Sequence, residues 1–245
     1  MSKEYWSKKH EAYMNRRPDR GKTVCIIICA GEATRWGNYL GVPKHLVTLE
    51  GEVMLHRLVR QLSEYKDNSI HIVVKEDDDK YKVSGSELYV ADLNPSNGDA
   101  DKFLSSQKLW NKHGRTLVFC GDVWFSDSAI RKILSYRGTD WIVFGRHHAS
   151  KITGCKWGEL FAQSFYPKDI KEHRANLHKV AEAYKAKSIT SAGGWAHYRA
   201  MSGIPLGEHK IKDKFYNIDD WTDDFDKPED YDRWTKNRKK AKGKK

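Results

Sequence analysis

The sequence is poor in the features that define several large protein classes. Only four of its 245 residues are cysteine (Cys25, Cys29, Cys120 and Cys155), and no two of them form a CxxC pair. That spacing excludes a zinc ribbon, and buried free thiols in a reducing compartment are expected in place of a disulfide framework. No apolar run approaches the roughly 18–20 residues that cross a bilayer. Residues 1–20 are polar and charged, without a secretory hydrophobic segment, so a cytoplasmic location is expected. No internal repeat is present, and no Ser-His-Asp or Cys-His arrangement stands out. The pair His147-His148 lacks a third ligand at useful spacing, which favours a loop over a metal site.

What remains suits a single α/β core with decorations. Hydrophobic residues make up 39%, and twelve Tyr, nine Trp and eight Phe supply large side chains for burial. The formal net charge of +11 is unevenly placed. Residues 236–245, KNRKKAKGKK, carry seven basic and no acidic side chains, and residues 1–22 carry seven basic and three acidic ones, which leaves 23–235 near neutral. The expected organisation is a basic arm over 1–22, one domain over 23–235 and a basic tail over 236–245. A neutral core with basic arms suits an enzyme that meets a polyanion, although a solubilising tail explains the same pattern.

Along the chain, the continuous apolar run 24–30 reads as a strand buried on both faces. Residues 54–65 place Met54, Leu55, Leu58, Val59 and Leu62 at helical spacing, and 70–74 read as a second buried strand. Strands are also expected at 89–94, 116–120 and 141–144, with helices at 100–110, 128–135 and 170–187. Residues 228–234 are expected to form a short last helix, with Pro228, Glu229 and Asp230 in its first turn. A short amphipathic helix around Tyr5, Trp6 and Tyr13 completes the set. The alternation of strand and helix predicts a sheet with right-handed crossovers, whereas 146–214 carry little recognisable pattern.

The chemistry concentrates after the first strand. Residues 29–37 read CAGEATRWG, and Val42-Pro43-Lys44-His45-Leu46 follows. Small residues directly after a buried strand let the backbone approach phosphate oxygens and offer them N–H donors. Arg35 can fork two oxygens of one phosphate, and Lys44 adds a mobile point charge. The segment resembles the nucleotidyltransferase family that joins an NTP to a sugar phosphate, whose signature is an Ala-Gly-x-Gly-x-Arg loop followed by Pro-Lys. Gly31, Thr34, Arg35, Pro43, Lys44 and Leu46 fit that signature, while Ala33 stands where the family has glycine. The resemblance covers residues 23–145 well and 215–234 loosely. It implies a three-layer α/β sandwich with a mainly parallel sheet, of the GT-A or nucleotide-diphospho-sugar transferase type. It also implies a nucleotide contacted by Ala30, Gly31, Glu32, Ala33, Thr34, Arg35 and Lys44. Asn97 and Gly98 fall where the family often contacts the base, although a plain surface loop accounts for them equally well.

Gly121-Asp122 ends the run 116–120, and a carboxylate at the C-terminal end of a parallel strand points into the ligand crevice. In the resembled family the matching Asp holds a divalent metal, Mg²⁺ or Mn²⁺. A second carboxylate is expected among Asp219, Asp220, Asp223, Asp224 and Asp226. The family's carboxy-terminal pattern favours Asp226, with Asp224 next. Gly158-Glu159 after Trp157, and Gly194-Trp195 with Arg199, are candidates to line an acceptor pocket. The expected function is metal-dependent nucleotidyl transfer from an NTP to a sugar 1-phosphate, with Lys44, Arg35 and Asp122 as catalytic groups. The alternatives are a GT-A glycosyltransferase moving a sugar from a nucleotide-sugar to hydroxymethylated DNA, with the basic termini on the DNA, and a non-catalytic nucleotide-binding module. No membrane partner is expected.

Overall fold

The computed structural model describes residues 22–65 and 67–243. The helix expected around Tyr5, Trp6 and Tyr13, and nearly all of the N-terminal arm, lie outside them. The run 24–30 yields the central strand β1 (Thr23–Ile28). Its side chains alternate between two cores, Cys25 and Ile27 on one face and Ile26 and Ile28 on the other, as the two-residue period of a strand requires. A small hairpin, β2 (Thr48–Leu49) with β3 (Glu52–Val53), leads into helix α1 (Met54–Ser63). Strands β4 (Asn68–Val74) and β5 (Glu87–Val90) follow.

The helix expected over 100–110 divides into α2 (Ala100–Leu104) and a 3₁₀ segment, Ser105–Leu109. Ser105 and Ser106 turn their hydroxyls back onto the carbonyls of Lys102 and Phe103, a local bond that competes with regular α geometry. Then come β6 (Thr116–Cys120), β7 (Val123–Trp124) and α3 (Asp127–Ser135), whose N-cap Ser126 accepts the Ala129 N–H at 2.9 Å. The strand expected at 141–144 is β8 (Ile142–Arg146), the helix expected at 170–187 is α4 (Ile170–Lys185), and the weakly patterned stretch 146–214 also supplies β9 (Glu159–Phe165) and α5 (Gly194–Met201). β10 (Phe215–Asn217), β11 (Asp223–Asp224) and α6 (Pro228–Lys242) end the chain.

The main sheet has seven strands in the order β10-β8-β9-β6-β1-β4-β5. All neighbours are parallel except where β9 runs antiparallel between β6 and β8. Helices α1 and α3 cover one face, and α2, α4 and α5 cover the other, giving the expected three layers. Gly121 is fixed by this packing, because a Cβ there would meet the Ile28 carbonyl oxygen at 2.7 Å. The ends of β6 and β1 can therefore touch.

The last helix differs from expectation. It runs to Lys242, so residues 236–242 are its final turns and the boundary expected after 235 falls inside it. Trp234 is buried against Trp124 and Phe225. Arg238 lies 4.8 Å over the Trp221 ring and also pairs with Glu50, as does Lys242. Aromatic burial and these charge contacts hold the helix to the body where charge counting alone suggested a free tail.

Candidate active site

The chain leaves β1 at the C-terminal edge of the sheet, where a crevice between diverging crossovers is the usual ligand position in open α/β sheets. The loop turns at Ala33, whose carbonyl accepts the Trp36 N–H at 2.9 Å. Buried Trp36 anchors the turn through Nε1 to the Val42 carbonyl at 2.8 Å. Ala33 itself has φ 50°, a left-handed conformation that costs an L-residue about 1–2 kcal/mol and glycine little. The departure at Ala33 is thus conformational as well as steric. Pro43 then directs a 3₁₀ turn, Lys44–Leu46, that presents Lys44 to the cleft.

Lys44 is almost fully buried and joins two carboxylates. Its Nζ lies 2.5 Å from Asp122 Oδ2 and 3.0 Å from Asp226 Oδ1, and Arg35 holds the other Asp226 oxygen at 2.6 Å. Burial alone would lower the Lys44 pKa, but Asp122 and then Asp226 outweigh it and leave it raised. Burial would likewise lift Asp122, yet Lys44, followed by His45, holds its carboxyl below the ordinary value. The pair is ionised on both sides.

Two short strands set this geometry. β7 and β11 pair antiparallel, Asp223 opposite Trp124 and Asp224 opposite Val123, and the Phe225 N–H reaches the Asp122 carbonyl at 3.0 Å. Asp122 and Asp226 therefore sit at the same end of one ladder. Of the other candidates, Asp223 is fully buried between Arg146 and Arg233, and Asp220 bonds Ser126 and the Thr222 N–H. Asp219 faces His148 at 3.9 Å. Asp224 does not line the cleft, and burial, then Glu159 and Asp226, push its carboxyl well up. Burial, followed by Asp226, pushes Glu159 up in the same way. Among these five, Asp226 is the carboxylate presented to the cleft beside Lys44 and Arg35.

The cleft measures about 380 Å³, and Gly31, Glu32, Ala33, Thr34 and Arg35 form one wall of it. Ala30 is instead buried at the strand end. Asn97 and Gly98 do not line the cleft: Asn97 donates to Asp101, and Gly98 packs against Tyr184 and Ala192. Their place is taken by Asp99, Lys102 and Phe103 one turn later, with His45 beside Lys44. The Lys102 ammonium pairs with Asp99 at 2.5 Å and stands 3.3 Å from where a Gly31 Cβ would lie. The i,i+3 spacing of Asp99 and Lys102 was the available signal, but sequence alone did not say which face of the turn met the loop. Burial keeps His45 neutral, with its pKa lowered to about 4. Trp195 stacks on Phe215 away from the cleft lining, whereas Trp157 is exposed. His147 and His148 touch each other edge to face, and among the described residues no three His, Cys, Asp or Glu side chains are grouped to hold a metal.

A three-layer α/β sheet with a loop of small residues after its first strand and a Lys-carboxylate centre at its edge agrees with the nucleotidyltransferase resemblance of the sequence. Residues 25–193 match the model of the MobA-like NTP transferase domain, and the chain belongs to that family. Comparison with curated proteins finds no match. Among solved structures, the chain is similar to CTP:phosphocholine cytidylyltransferase from Streptococcus pneumoniae, with 16% identity over 88% of this chain and 98% of that one and a TM-score of 0.54. It is also similar to the inositol-1-phosphate CTP transferase from T. maritima, at 14% identity, 91% and 98% coverage and a TM-score of 0.57. A UDP-glucose pyrophosphorylase complexed with UDP-glucose gives 10%, 92% and 100%, and 0.57. At such identities the likeness is one of fold. No helix among the described residues is long and apolar enough to cross a membrane.

Proposed function

We propose that the protein transfers a nucleotidyl group from an NTP to a phosphorylated acceptor, a sugar 1-phosphate or a related polyol phosphate. An acceptor phosphate oxygen forms a bond to the α-phosphorus, the bond from that phosphorus to the bridging β-oxygen breaks, and pyrophosphate leaves. The observation that carries this reading is the Lys44 ammonium held between Asp122 and Asp226 beside the Arg35 loop. Positioning and charge neutralisation provide the rate in such chemistry. Arg35 and Lys44 bind the phosphate chain and stabilise charge that develops on it, and Gly31 lets the backbone come close.

Asp122 and Asp226 fit a divalent cation. They already face one shared cation, the Lys44 ammonium, and two carboxylates are as many as Mg²⁺ or Mn²⁺ ordinarily takes from protein when phosphates and water complete its shell. When bound, such an ion would neutralise phosphate charge.

The test incubates the protein with Mg²⁺, each NTP and a panel of sugar and polyol phosphates, and follows pyrophosphate. Release that depends on both substrates supports the reading. In parallel, nucleotide-sugars are offered with hydroxymethylated DNA, because Lys236, Lys239 and Lys240 leave a basic face on α6 exposed. Labelled DNA without pyrophosphate would replace the proposal with glycosyl transfer, and nucleotide binding without either product would leave a binding module.

A further inference from the structure

A second, smaller cavity of about 30 Å³ adjoins the main cleft and shares Phe103 and Cys120 with it. Its walls are mostly apolar, from Val118, Val143, Leu160 and Ala162, yet Gln163 and His197 also line it. Both are nearly excluded from solvent, at 5% and 2% exposure, and each has one nitrogen without a partner, Nε2 in both cases. Buried polar groups are seldom left unpaired in a folded protein, so two in one cavity require an account.

The free atoms can be assigned. Gln163 Oε1 accepts the Trp141 indole N–H at 3.1 Å, and since indole only donates, the amide cannot be reversed. The unpaired end of Gln163 is therefore a donor. Burial keeps His197 neutral, and with Nε2 unpartnered the nearby His173 backbone carbonyl favours the ring proton on Nδ1. A neutral ring carrying its proton on Nδ1 presents an accepting lone pair on Nε2. Phe103 stacks on this ring at 6.2 Å and Trp141 meets its edge at 5.4 Å, which holds its orientation.

One donor and one acceptor in an apolar cavity match a hydroxyl group, which accepts from one and donates to the other. An ammonium cannot accept from Gln163 and meets no carboxylate in the lining, and an ionised carboxylate cannot donate to His197. The volume, about that of one or two waters, admits a hydroxyl or hydroxymethyl arm but no ring. The cavity lies over β6, β9 and β8, whereas the loop after β1 runs beside the end of β4, with Glu32 paired to Lys75. Asp122, at the end of β6, stands between them. Because attacking and leaving groups lie on opposite sides of the phosphorus, this side belongs to the acceptor.

Resting on the reaction proposed above, we infer that the cavity behind Phe103 is a specificity subsite, in which Gln163 and His197 hold one hydroxyl of the uncharged sugar or polyol part of a phosphorylated acceptor. Polyol and sugar phosphates are then substrates, and phosphocholine is not. The test follows the ring ¹⁵N resonances of His197 while glucose 1-phosphate, inositol 1-phosphate and phosphocholine are added, with pyrophosphate release measured alongside. The hydroxylated phosphates are expected to shift Nε2, and phosphocholine to leave it in place. His197→Asn keeps an N–H for the His173 carbonyl and loses the acceptor. It should lower kcat/KM for the hydroxylated acceptor about 10- to 100-fold with the KM for NTP unchanged, and His197→Gln should recover part of the loss. If no phosphate moves Nε2, or phosphocholine moves it equally, the subsite is refuted and the cavity holds water. A shift without pyrophosphate would instead keep the subsite and refute the reaction.

Discussion

Replacing Lys44 by methionine should have opposite effects on metal binding and on turnover. The variant keeps an apolar stem in a buried position and removes the charge that lies 2.5 and 3.0 Å from Asp122 and Asp226. Breaking a buried ion pair costs about 3–5 kcal/mol. Here both carboxylates retain some solvent, at 22% and 30% side-chain exposure, so a loss of about 1–3 kcal/mol is expected after screening. The freed carboxylates no longer share their site with an ammonium. One positive charge about 5 Å from a bound divalent cation is worth roughly 7 kcal/mol at an effective dielectric near 20, and after solvent screening in an open cleft Mn²⁺ should still bind at least about a hundredfold more tightly. Turnover should fall roughly 10²–10³-fold, as for loss of one preorganised donor. The effect on stability also has a pH signature. Asp122 titrates below its ordinary value of 3.8 because of Lys44, so its contribution is present above that value and is lost as pH falls through the folded one. The stabilities of wild type and variant should therefore converge below about pH 4. Manganese titration by electron paramagnetic resonance, pyrophosphate release and denaturant melts measure the three. Near-normal turnover would remove Lys44 from the chemistry, and unchanged Mn²⁺ affinity would show that Asp122 and Asp226 do not hold the ion.

Five further outcomes are expected. Arg35→Ala should raise the KM for NTP about tenfold and change stability by less than about 0.5 kcal/mol, since the side chain is largely exposed; Arg35→Lys should restore little, because the fork is lost. Asp226→Asn should abolish most turnover while Asp224→Asn leaves it near normal. Asp224→Asn should also raise the melting temperature more at pH 8 than at pH 5, because the Asp224 carboxyl is held up in the folded state and its ionisation opposes folding as pH rises. Trp234→Ala should cost about 3–5 kcal/mol in urea melts and loosen α6 together with its contacts to Trp124 and Phe225. Ala33→Gly should change stability by less than about 1 kcal/mol, since relief of the left-handed φ offsets the greater freedom of glycine in the unfolded chain, but should lower the KM for NTP.

Those parts of the fold that follow local rules were legible in the sequence. β1, β4 and β6 announce themselves as apolar runs because they are buried on both faces, and α1 shows its one-sided stripe. β9 was obscure because it is an antiparallel insertion with both faces buried, so neither alternation nor a crossover marks it. The length of α6 was hidden by its charges, since what docks it is Trp234 and the stacking of Arg238 on tryptophans from distant segments. Within the site, Arg35, Lys44 and Asp122 are tied to a strand end and its loop, where local pattern and position coincide. Asp226 could be singled out from its acidic neighbours only by resemblance, because the β7–β11 pairing that faces it toward Lys44 is purely tertiary. Lys102 at the main cleft, and Gln163 and His197 at the smaller cavity, could not be joined to the site from sequence, since each comes from a different element.

That short β7–β11 ladder also makes the centre a joint product of two distant stretches of chain. The loop, Lys44 and Asp122 belong to the run that carries β1, β4 and β6. Asp226 follows β11, which reaches the Asp122 end of β6 through its pairing with β7, and Trp234 of α6 packs on Trp124 of β7 beside that pairing. Loosening α6 should therefore draw the two carboxylates apart without altering any residue of the loop after β1.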